Sequence, residues 1–171
     1  MDLAVDEIKG WVEQVEAGSD FLWNDVVGGY CARDLRTRQF SDAITNASTL
    51  SFFADVGSPE QRKSMEAHCR RILSASAFGM PSWDPDHQAF ESQRYWRGPV
   101  WAIMNHMVIS GLEDAGLVDL AARVRNDTIN LINEHGMAEY FDPRDGDGLG
   151  GMDFSWTCLL YTSDAADEPM R

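Results

Sequence analysis

Two short segments concentrate the side chains able to do chemistry. The first is Tyr95-Trp96-Arg97-Gly98-Pro99-Val100-Trp101, three aromatics and an arginine around a glycine-proline step. The second runs from Glu139-Tyr140-Phe141-Asp142-Pro143 through a turn-forming stretch of aspartates and glycines to Gly151, with Phe154-Ser155-Trp156 just beyond. Flat aromatic faces suit the apolar C–H face of a sugar ring, and a guanidinium donates several hydrogen bonds in fixed geometry to hydroxyl or carboxylate groups. Aromatics around Glu139 would exclude water and raise its pKa towards the neutrality that a general base requires. Each segment alone also fits a plainer role: tryptophans in a core, an arginine capping a helix, a solvated carboxylate at a helix end.

Other chemistries fit the chain poorly. An EF-hand needs ligands at alternate positions and a closing glutamate at the twelfth, and counting from Asp142 or Asp145 does not give them. His68, His87, His106 and His135 show no ligand spacing, so no metal and no cofactor is expected. No phosphate loop, Ser-His-Asp arrangement or basic stripe is visible.

The elements that must position these groups read as helices. Val5, Ile8, Trp11, Val12 and Val15 recur at helical spacing before Gly18, predicting an amphipathic helix over 3–17. Alternation around Gly28-Gly29 suggests a short hairpin. An apolar run predicts a buried helix over 47–56, and Ser58-Pro59-Glu60 opens the next, with Met65, Cys69, Ile72 and Leu73 on one face. Two further helices are predicted over 99–115 and 118–134, joined at Gly116, with Pro99 in the first turn presenting the aromatics at a helix N-terminus. Without fixed-period repetition a solenoid is disfavoured, and a helical toroid with one functional rim accounts better for aromatic loops alternating with tight ones. The expected class is therefore all-α, a partial toroid of helical hairpins with short β excursions in its loops.

The 171-residue chain has 44% hydrophobic and 25% charged residues, a globular composition. A net charge of −14 opposes binding to nucleic acid or an anionic membrane surface. Cys31, Cys69 and Cys158 are widely spaced and odd in number, which argues for a reducing compartment rather than a disulfide framework. With no basic-then-apolar start, a cytoplasmic location is expected.

Taken in order, YWRGPVW, NHMVISGLEDAGL, EYFDP with its glycine-rich loop and FSW resemble glycoside hydrolase family 63 and its (α/α)6-barrel relatives over roughly residues 21–157. The segments look most like the bacterial mannosylglycerate and glucosylglycerate hydrolases. The resemblance implies inverting hydrolysis of an α-glycosidic bond in a small glycoside, with Glu139 as the general base. It also implies a sugar pocket lined by Tyr95, Trp96, Trp101 and Trp156, to which Arg97 and Tyr140 are added as candidate substrate contacts by their residue types and place in the two segments. The partner acid in such enzymes lies on a loop far upstream, beyond the 138 residues that precede Glu139 here. Asp84, Asp86 and Glu91 belong to a different loop. The expectation is a C-terminal fragment, 1–157, inactive alone and able to self-associate through exposed apolar faces. A trehalase-like or oligosaccharide glucosidase activity, or a non-catalytic carbohydrate-binding module, is the alternative. Cys158 to Glu168 resembles the translation of a transposon-based sequencing adapter over eleven consecutive residues, so 158–171 is expected to be a non-native tail.

Overall fold

The computed structural model describes residues 2–158, so most of the expected tail, 159–171, lies outside the described residues. Among the described residues the architecture is carried by the helices α1 (Asp2–Ser19), the shorter α2 (Asn46–Phe53), α3 (Pro59–Ala75), α4 (Ala102–Asp114) and α5 (Val118–His135). Two antiparallel strand pairs interrupt them, β1 (Trp23–Asn24) with β2 (Gly29–Tyr30), and β3 (Tyr140–Phe141) with β4 (Gly148–Leu149). The expected all-α plan with short β excursions is what forms.

Local signals account for the helix boundaries. Ser58 caps α3 by accepting from the Gln61 N–H at 3.2 Å, Gln61 Oε1 accepts from the Ser58 N–H at 2.7 Å, and Pro59 occupies the first helical position. Helix α4 ends where the Leu117 N–H donates to the Leu112 carbonyl and the Gly116 N–H to that of Glu113, a Schellman closure that turns the chain directly into α5.

Met65, Cys69, Ile72 and Leu73 of α3 are all buried, as their spacing predicts. They share a core with Phe52 of α2, Val108, Ile109 and Leu112 of α4, and Leu120, Ala121 and Val124 of α5. Burial pushes the Cys69 thiol up to about 12, so it packs as a small apolar group. Helices α2 and α4 approach so closely that a Cβ on Gly111 would meet the Phe53 backbone nitrogen; the missing side chain is what permits the contact. A second cluster, Val100, Leu131, Ile132, Ala138 and Phe141, lies under the two candidate segments.

Helix α1 is amphipathic as predicted, yet Val5, Ile8, Trp11, Val12 and Val15 are exposed, because α1 packs on little beyond the 3₁₀ turn at Asp20–Leu22. No helix among the described residues is long and apolar enough to cross a membrane.

Candidate active site

Backbone pairing, not helix entry, places YWRGPVW. Val100 exchanges both hydrogen bonds with Phe141, at 2.8 and 2.9 Å, and Pro81 forms a bridge with Val100. Ser82 receives the Gly98 N–H on its hydroxyl at 2.9 Å and donates its own N–H to the Pro99 carbonyl at 2.8 Å. These bonds require extended backbone, so the expected helix start at Pro99 is corrected: α4 begins at Ala102, and Trp101 is an N-cap without a side-chain cap bond. The Val100–Phe141 bridge thereby sets the aromatic segment beside Glu139.

The aromatics form one cluster. Trp96 stacks flat on Trp101, with centroids 3.9 Å apart and planes at 3°. Tyr140 stacks on Trp101 at 4.9 Å, Tyr95 meets it edge-on at 5.1 Å, and Trp156 lies at 6.5 Å. Trp101 is 1% exposed, so its part is to support the others, with its indole N–H donating to the Tyr95 carbonyl at 3.1 Å. Tyr95, Trp96 and Trp156 keep 50%, 41% and 47% of their surface exposed and offer the faces a ligand could meet.

Glu139 is half-buried at the edge of this cluster. Its N–H donates to the Gly151 carbonyl at 2.8 Å, and the Gly151 N–H returns a longer bond to Oε2 at 3.3 Å. A Cβ on Gly150, whose φ is +75°, would stand 2.5 Å from Oε2; glycine serves both the backbone conformation and the room for the carboxylate. Oε1 lies 3.5 Å from the Tyr95 hydroxyl. The phenol of Tyr140 is raised above its ordinary value by loss of water and then by the neighbouring Glu139 charge and Tyr95, so it stays an O–H donor.

Arg97 is turned to a different purpose. Its guanidinium pairs with Glu91, its carbonyl accepts from the Glu91 N–H at 3.0 Å, and its buried Nε has no partner. The expected ligand donor thus closes its own loop.

The other nearby carboxylates are also committed. Arg71 holds Asp84 through two bonds, at 2.8 and 2.5 Å, and Asp86 at 2.6 Å. Burial pushes the Asp84 carboxyl up, but the Arg71 hydrogen bonds and the Asp86 N–H outweigh it, leaving the pKa below its ordinary value. A depressed carboxylate contributes stability that is full above about pH 4 and lost as pH falls through the lower folded value. Arg71→Met reverses the dependence, because Asp84 is then a buried charge without its partner. The stability gap between wild type and variant, read from urea midpoints, is expected to be widest near pH 7 and to narrow below about pH 4.

Sequence reasoning missed Ser82, Ser92, Gln93 and Asp142. Asp142 is 2% exposed, and Oδ2 accepts from the Ser92 hydroxyl at 2.9 Å and the Gln93 amide at 3.0 Å. Nothing local in a chain marks a pairing across fifty positions.

Comparison with known proteins places the chain in a family. The family described as "Mannosylglycerate hydrolase MGH1-like glycoside hydrolase domain" matches residues 2–157. The chain is 42% identical over 154 residues to mannosylglycerate hydrolase MGH1 of Selaginella moellendorffii, covering 90% of this chain and 32% of that one. It is 38% identical over 156 residues to mannosylglycerate hydrolase of Thermus thermophilus, covering 90% and 37%. The crystal structure of that organism's GH63 mannosylglycerate hydrolase in complex with glucose superimposes with a TM-score of 0.87 at 36% identity, over 91% of this chain and 39% of that one. The chain therefore spans about a third of the length of these relatives. Its helices form part of an (α/α)6 barrel, and the chain belongs to the mannosylglycerate hydrolase MGH1-like family of glycoside hydrolases.

Proposed function

We propose that this chain supplies the general-base side of an inverting glycoside hydrolase that cleaves the α-glycosidic bond of a small glycoside such as glucosylglycerate or mannosylglycerate. The observation that carries the reading is the convergence of Glu139 with the exposed faces of Tyr95 and Trp96 over buried Trp101. In this mechanism the sugar lies against the aromatic rim. Glu139 takes a proton from a water that attacks the anomeric carbon on the face opposite the leaving group. A carboxylic acid about 6.5 to 9.5 Å away protonates the departing oxygen.

That acid is not supplied by Asp84, Asp86 or Glu91, which are bound to Arg71 and Arg97. The chain alone is therefore expected to bind its glycoside without turning it over. Calorimetry with glucosylglycerate and with mannosylglycerate tests this. Trp96→Ala is expected to weaken binding about three- to ten-fold by removing the stacking face, and Glu139→Gln to leave most of it. Turnover by the chain that Glu139→Gln abolishes would overturn the half-site reading; absence of binding to either glycoside would overturn the substrate class.

A further inference from the structure

Asp142 is bonded to both loops of the site. On one side its carboxylate accepts from Ser92 Oγ at 2.9 Å and Gln93 Nε2 at 3.0 Å, two side chains separated from the Tyr95–Trp96 pair only by Arg94. On the other, Oδ1 accepts from the Arg144 N–H at 3.0 Å. Its backbone donates to the Asp147 carbonyl and accepts from the Gly146 N–H, each at 2.9 Å. That turn leads into the strand and glycines that back Glu139. Tyr95 needs an outside hold, because its φ of +40° is a conformation a tyrosine leaves unless its surroundings impose it.

We propose that Asp142 is a positioning residue that docks the Ser92–Trp96 loop onto the segment bearing Glu139, so that the aromatic rim and the carboxylate keep one spacing. Its functional meaning rests on the site reading above; the docking itself does not. A buried carboxylate with three donors is a rigid anchor, since each donor would lose its partner on leaving and the charge would be left unsolvated.

The Trp101 indole N–H reports docking directly, because its acceptor is the Tyr95 carbonyl. Hydrogen exchange at that proton is to be measured by NMR on the full chain. Gln93 is exposed, so Gln93→Glu disturbs no core while placing a second carboxylate against Asp142. It is expected to speed indole exchange about ten-fold or more while core amides of α5 stay protected. Adding Asp142→Asn is expected to restore slow exchange, because the new amide then donates to the carboxylate introduced at position 93, reversing the polarity of the pair. Unchanged exchange in Gln93→Glu, or acceleration that Asp142→Asn leaves in place, overturns the proposal. Should the double variant fail to fold, Ser92→Ala decides, with faster exchange supporting the tether and unchanged exchange refuting it. Normal docking with no glycoside binding in the same samples would instead refute the site reading alone.

Discussion

Glu139→Gln is expected to lower kcat by roughly 10²- to 10⁴-fold in a chimera where residues 2–157 replace the matching segment of the Thermus thermophilus mannosylglycerate hydrolase. The exchange is feasible because the two backbones superimpose over 91% of this chain. Glutamine keeps the shape, and its carbonyl can still accept the Gly151 N–H that holds Oε2. What it loses is the ability to take a proton from water. KM is expected to stay close to the unsubstituted value, since the reading proposed above assigns the sugar contacts to the aromatic rim. A parallel fall in binding would show that Glu139 holds substrate rather than activates water, and unchanged kcat would exclude it as the base.

Trp101→Ala is expected to be the most damaging single truncation in the site, costing about 3–5 kcal/mol of stability. The side chain is buried and touches Trp96, Tyr140 and Tyr95, with Trp156 further out. Its removal opens a cavity under every face the sugar would use and releases the bond to the Tyr95 carbonyl. Trp96→Ala should cost far less, because the residue is already 41% exposed. Urea unfolding of the two variants separates support from contact. Equal losses would mean that the stack acts as one core and presents no independent binding face.

Much of the helical layout was legible in the chain because its signals are local. The Ser58-Pro59 helix start, the four-residue stripe of α3 and the Gly116 closure each act within one or two turns of backbone. The start of α4 was not legible. Proline after glycine favours a helical first turn, but the Val100–Phe141 bridge joins residues forty-one positions apart and holds Pro99 and Val100 extended. Long-range backbone bonds thus overrode a local preference.

The same division holds for the site. Residue types alone marked Glu139, Tyr95, Trp96 and Trp156 as candidates, since a carboxylate and aromatic faces that suit a sugar are properties of the side chains themselves. Tertiary structure alone decided what each of them packs against: Trp101 lies under the stack, Arg97 pairs with Glu91, and Asp142 ties the two loops together. Burial and pairing depend on what arrives from elsewhere in the chain. Composition and spacing set the available chemistry, and packing assigned each group its role.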